Sequence, residues 1–212
     1  MSDQAAKGMT VAEFLVWQTG QEDKYELVNG RPFAMTGARL RHDRVTGNAF
    51  SEVRRQLRAN GSPCDAFTSD IGILTVPGQL RRPDVSVLCP PFDEESMTSD
   101  SPRLVVEVLS ESTEQIDRLV KLDEYKTLET LDYIVFADPT RVEVGVWFRD
   151  SGGVWRNQTF QQADSVIHMP GLGLSISVAA LYERVTLTPR PRPRLVWDDA
   201  DEAAPPINTR TP

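Results

Sequence analysis

Two carboxylates and a lysine carry the chemistry this chain could perform. Arg82-Pro83-Asp84 opens a short apolar run, Val85, Val87 and Leu88, and Glu107 lies 23 residues later inside the second run Leu104-Val105-Val106-Glu107-Val108-Leu109. An ionised carboxylate in a buried strand costs several kcal/mol unless a metal or another cation accompanies it. Two such carboxylates on neighbouring strands are the minimum equipment for a divalent ion. Oxygen-only ligation with water positions left over suits Mg²⁺ or Mn²⁺, with the Val108 carbonyl as a third ligand. Such an ion activates a water and stabilises charge on a phosphoryl oxygen. Lys121 follows Asp117 by four residues on an expected helix, where its ammonium could orient the water or stabilise developing charge. Spacing alone leaves other readings open: a strand-entry cap for Asp84, a buried ion pair with an arginine for Glu107, and a surface pair with Asp117 for Lys121.

Two further residues could reach the same place. Glu26 is flanked by Tyr25 and Leu27 in an alternating segment, and His42 precedes Val45 and Ala49 by three and seven residues, on the apolar face of a helix. A lone histidine there is more often an ordinary core residue. His168, between Ile167 and Met169, has no partner that the sequence reveals.

The elements that must position these residues are legible in outline. Thr10-Val11-Ala12-Glu13 is a capping box and should start a helix through about Gln18. Tyr25 to Val28, Asn29-Gly30 and Arg31 to Thr36 read as a hairpin. Val45, Ala49, Val53 and Leu57 place a long amphipathic helix over 39–59. Strands are expected over 65–69, 71–76, 84–88, 104–109 and 132–137, with 104–109 central and buried on both faces. Cys89 to Pro102 reads as a polar loop. Ser110 to Thr113 should cap a helix running to about Leu128. A hairpin over 142–148 and 154–160, a strand near 174–177 and a helical turn near 178–182 complete a domain over 10–185. Residues 1–9 form a loose lead-in, and a Pro/Arg and acidic tail follows from 186 to 212. That tail is unable to fold alone; it is either inert or a peptide that docks on a protein partner through Leu195, Val196 and Trp197.

At 212 residues one domain with a sizeable core is expected. The net charge of −8 argues against tight non-specific DNA binding by charge alone. Six arginines between Arg39 and Arg58 face only Asp43 and Glu52, which is either a local phosphate-facing surface or a solvated helix face. Cys64 and Cys89 lack metal-ligand spacing, Met1 to Gly8 is polar, and no apolar run approaches the ~20 residues of a membrane helix. Reduced thiols and a cytoplasmic protein are expected.

Taken in order, Tyr25-Glu26-Leu27-Val28-Asn29-Gly30, His42, Arg82-Pro83-Asp84-Val85, Glu107-Val108-Leu109-Ser110, Asp117, Lys121 and Tyr125, Asp132-Tyr133 and Asp138-Pro139 resemble the Uma-type family of putative restriction endonucleases, in the PD-(D/E)XK nuclease superfamily. The resemblance covers about residues 10–185. It implies an α/β (α+β), restriction-endonuclease-like fold: a mixed central sheet flanked by helices, with an N-terminal helix and β-hairpin. It also implies Mg²⁺-dependent hydrolysis of DNA phosphodiesters. Asp84 and Glu107 would hold the metal and Lys121 would be the catalytic lysine, moved from the strand to the following helix. Glu26 and His42 match positions retained near the site. The usual lysine position, two after the acid, is here Leu109; Glu111 and Ile134 replace a common proline and tryptophan. A metal-dependent DNA endonuclease is therefore the leading expectation, and a homodimer would cut both strands most simply. The alternative is a catalytically inactive binding module that kept the fold.

Overall fold

A computed structural model describes residues 8–35, 37–109 and 116–187. Helix α1 (Val11–Gln18) begins at the expected capping box: the Thr10 hydroxyl accepts the Glu13 N–H, and the Thr10 N–H donates back to the Glu13 carboxylate. Strands β1 (Tyr25–Val28) and β2 (Arg31–Ala34) form the hairpin. Asn29 and Gly30, at φ 50° and 71°, supply the two left-handed residues of its turn. Gly30 is required twice over, because a Cβ there would meet the Gly8 backbone at 2.8 Å. Helix α2 (Leu40–Ala59) buries Val45, Ala49, Val53 and Leu57, as their four-residue spacing dictates.

Six strands and a helix follow: β3 (Asp65–Thr68), β4 (Gly72–Leu74), β5 (Leu80–Arg81), β6 (Val85–Leu88), β7 (Thr98–Ser99), then β8 (Pro102–Val108) and α3 (Ile116–Lys126). The chain continues through β9 (Tyr133–Ala137), β10 (Val144–Arg149), β11 (Trp155–Phe160), β12 (Val166–Met169), a 3₁₀ turn (Pro170–Leu172), β13 (Leu174–Ser177) and α4 (Val178–Leu181).

The principal sheet has six strands in the order β11-β10-β9-β8-β6-β3, antiparallel except for the β8–β9 pair. It is a mixed sheet between helices, as expected. Alternation along β8 explains its two-sided burial. Leu104, Val106 and Val108 join the core beneath α2, while Val105 packs with Leu122 and Tyr125 of α3 and with Leu128 just beyond it. Glu107 is therefore carried on the α3 side.

A second sheet, β2-β1-β5-β4-β7, joins the hairpin to three very short strands. One of its faces packs on α1 through Phe14, Leu27 and Leu80. The other carries Glu26 and Arg81. This sheet departs from the sequence expectation, in which 89–102 was all loop; β7 lies within that segment and pairs with β4.

One other expectation is corrected, and one residue left open gains a partner. Cys64 and Cys89 are not reduced thiols but a disulfide. The antiparallel β3–β6 register sets Asp65 opposite Leu88, so the flanking cysteines meet with Cα atoms 4.0 Å apart. His168 does have a partner: β12 pairs with β13, and its ring Nδ1 lies 3.1 Å from the Ser175 hydroxyl. Among the described residues no helix is long and apolar enough to cross a membrane. Thr36, the expected cap at 110–113, the Asp117 side chain and the tail from 188 onward lie outside the described residues.

Candidate active site

The β6–β8 ladder aligns Val85 with Val106, so Asp84, one residue before β6, stands beside Glu107 and Val108. The Val108 N–H donates to Asp84 Oδ2 at 2.7 Å. Glu107 is buried in the central strand, and the Tyr125 hydroxyl donates to its Oε1 at 2.6 Å. Lys121 Nζ lies 3.4 Å from the same oxygen and 3.1 Å from Glu26 Oε1. His42 Nε2, in the first turn of α2, is 3.5 Å from Asp84 Oδ2. Glu26, His42, Asp84, Glu107 and Lys121 thus converge from β1, α2, the entry to β6, β8 and α3. Lys121 points into this cluster with its side chain only 12% exposed, so an exposed surface pair does not describe it. Leu109, where a lysine was expected, packs against the apolar cluster under α3.

Sequence reasoning missed the layer behind the site. Lys121, Glu124 and Tyr125 occupy one face of α3 because they are spaced i, i+3, i+4. Arg81, buried on β5, donates to both oxygens of Glu124 at 2.6 and 2.7 Å and to Glu26 Oε2 at 3.1 Å. Glu26 Oε1 also accepts the Arg82 N–H at 3.0 Å. The Arg82 guanidinium donates to the carbonyls of Tyr25, Ser69 and Asp70. The helical face of Glu124 was readable; its partner on a two-residue strand was not.

Burial sets the ionisation of this cluster. It pushes Glu107 up to about 7, with the Asp84 and Glu26 charges adding to the shift, and Asp84 up to about 6, with Glu26 and Asp43 adding to it. The Lys121 ammonium opposes both shifts. Burial would also raise Glu26, but Lys121, the Arg82 N–H and Arg81 outweigh it and hold Glu26 below the ordinary range. Burial lowers the His42 imidazole despite a hydrogen bond to the Val108 main chain.

These shifts give a signed expectation. Between about pH 4.5 and 7 folded Glu107 holds a proton that the unfolded chain has lost, so its contribution falls as pH rises. His42 acts oppositely over part of that range, which makes a difference measurement necessary. In cation-free buffer Glu107→Gln should gain thermal stability over wild type at about pH 8, by on the order of 3 kcal/mol, with the gain shrinking towards about pH 5. A gain independent of pH would contradict the buried-acid account.

Among the described residues no group of three or more His, Cys, Asp and Glu side chains converges as a metal cage. The donors present still fit a hard cation. Mg²⁺ commonly takes one or two carboxylates and completes its shell with water and substrate oxygens. Asp84 and Glu107, buried together and each pushed towards protonation, are the pair such an ion would relieve. The arginines of α2 are mostly engaged within the chain: Arg55 pairs with Glu52 at 2.7 Å, Arg54 with Asp65 at 3.4 Å, and Arg44 donates to the Arg184 carbonyl. Arg39 and Arg41 also have partners. This favours a solvated, internally paired helix face over a phosphate-facing island.

Comparison with known proteins places the chain. Residues 11–179 match the Uma2 family, described as "Putative restriction endonuclease". An uncharacterised Synechocystis protein, slr1290, is 33% identical over 172 residues, covering 80% of this chain and 89% of that protein. A second uncharacterised protein of the same organism, sll1609, is 29% identical over 136 residues, covering 62% of this chain and 76% of that one. The crystal structure of a putative nuclease belonging to DUF820, from Anabaena variabilis, aligns with a TM-score of 0.67 at 18% identity, over 84% of this chain and 99% of that chain. That likeness shows a shared fold, the fold expected from the ordered motifs. The chain belongs to the Uma2 family of putative restriction endonucleases.

Proposed function

We propose that the protein is a metal-dependent DNA endonuclease. The observation that carries this reading is the convergence of the buried Glu107 with the largely covered Asp84 and Lys121, three ionisable groups, at the meeting point of β6, β8 and α3. Asp84, Glu107 and the Val108 carbonyl would hold Mg²⁺ or Mn²⁺. When bound, the ion supplies a water of lowered pKa and neutralises charge on the phosphate.

The protein's own groups do the rest. Glu26 and Glu107 fix the Lys121 ammonium, which offers a preorganised positive charge to the phosphate oxygens as the bond breaks. His42, held towards its neutral form beside Asp84, can take a proton from the nucleophile. Tyr125 locks the Glu107 carboxylate through its hydroxyl. Cleavage of both strands would call for a two-fold homodimer, since the described residues of one chain form one such centre. The domain spans about 10–185, and the 186–212 tail is a candidate protein-docking peptide.

One observation favours a second reading, an inactive binding module with the same fold. Lys121 is already paired with two carboxylates and the His42 ring with Asp84 and Val108, so the cluster is partly self-satisfied. Supercoiled plasmid incubated with and without Mg²⁺ or Mn²⁺, beside Asp84→Ala and Glu107→Ala, decides between them. Cation-dependent nicking or linearisation that disappears in both variants supports the hydrolase. Cleavage that survives both substitutions overturns the site, and DNA binding without cleavage favours the module.

A further inference from the structure

The hairpin that delivers Glu26 also presents two residues that the chemistry above does not use. In the β1–β2 register Glu26 is opposite Phe33 and Val28 is opposite Arg31. Directly opposed residues share a face, and so do residues two apart in a strand. Phe33 and Arg31 therefore lie on the Glu26 face, the one that meets Lys121, and not on the Leu27 face buried under α1. Phe33 is 55% exposed and Arg31 is exposed. The Arg31 guanidinium has no hydrogen-bond or ion-pair partner among the described residues. An open aromatic ring and an open cation thus stand about 6.6 Å apart along a strand at the rim of the proposed catalytic centre.

We propose that β2 is a contact for unpaired nucleic acid: Phe33 stacks on the base of a single-stranded nucleotide beside the bond to be cut, and Arg31 pairs with a neighbouring phosphate. This inference rests on the nuclease reading and names its substrate class. Charge on the page selects that occupant. A chain of net charge −8, whose α2 arginines are largely engaged internally, gains little from the counterion release on which duplex binding depends. Stacking does not need that charge, and it needs a base face that a paired duplex keeps closed. A cation beside an open ring supplies one each of the two contacts, phosphate pairing and base stacking, by which single strands are held without sequence reading. Pro32 between them withholds an N–H from the outer edge of β2, which disfavours adding another protein strand there.

The test is fluorescence anisotropy in EDTA with a labelled oligonucleotide of about 12 nucleotides, single-stranded and as a duplex, so that binding is read without cleavage. Wild type should bind the single strand more tightly. Phe33→Ala should lose about tenfold in single-strand affinity, the factor that about 1.4 kcal/mol of stacking corresponds to, and Phe33→Trp should restore it. Arg31→Ala should lower the salt dependence by about one phosphate contact. Single-strand affinity unchanged in Phe33→Ala, or tighter binding of the duplex by wild type, would overturn the proposal. The plasmid assay reads the catalytic claim separately. Phe33-dependent binding by a protein that never cleaves would retire the hydrolase and keep the contact, while acid-dependent cleavage with Phe33-independent binding would do the reverse.

Discussion

Replacing Lys121 with alanine is expected to cut turnover by about 10²–10³-fold while divalent-cation binding survives, the loss typical of removing one preorganised charge from a developing anion. The Lys121 ammonium sits between Glu26 and Glu107, at 3.1 and 3.4 Å, and is nearly withdrawn from solvent. Its removal has a second effect. Without it, Glu107 loses its opposing charge and Glu26 one of two, and both hold their protons to higher pH. Cation affinity of the variant should therefore be measured at about pH 8.5, where protons compete less. Normal binding with lost turnover identifies a group that acts on the reacting phosphate. Unchanged turnover would return Lys121 to a structural ion pair, and binding lost at every pH would make it a scaffold for the acids.

The largest stability effect should come from Arg81, which never faces the substrate side. Its guanidinium is 2% exposed and bonded to both Glu124 oxygens and to Glu26. Alanine there would leave the buried Glu124 without its cation and Glu26 with Lys121 alone. Breaking one side of a buried pair costs about 3–5 kcal/mol, more than a surface pair returns. For a chain of this size that is a fall in Tm of roughly 6–20 °C. Arg81→Lys should recover part of it, because it restores charge without the two-pronged geometry. A fall of less than about 2 °C in Arg81→Ala would show that Glu26 and Glu124 are satisfied some other way. The same substitution should loosen Lys121, since Glu26 is held by Arg81 on one oxygen and by Lys121 and the Arg82 N–H on the other.

What could be read from the chain follows the range of the physics. The Thr10–Glu13 box, the Asn29-Gly30 turn and the α2 stripe are local, and each appears where its spacing places it. The runs at 84–88 and 104–109 identified neighbouring strands, and the ordered motif around them marked Glu26, His42, Asp84, Glu107 and Lys121, which fold into one cluster. The strand expected over 71–76 is β4, but its sheet was not legible, because β5 and β7 are two residues long and show no periodicity. The disulfide was missed because a register, not a motif, sets Cys64 against Cys89. Arg81 escaped notice for a similar reason: its partners lie 43 and 55 residues away in sequence. Adjacent arginines ahead of Asp84 gave no sign that one would be buried on the Glu26 face and the other would tie loops by their carbonyls.

The central claim is that two strand carboxylates form one divalent-cation site, and it can be tested without knowing the DNA substrate. Calorimetric titration of the purified protein with Mn²⁺ at about pH 8, above the raised range of both acids, measures it directly. We expect one ion bound per chain in wild type, and binding lost in both Asp84→Ala and Glu107→Ala with the fold intact by circular dichroism. Stoichiometric binding that persists in both variants, or no binding by wild type at millimolar Mn²⁺, would contradict the account.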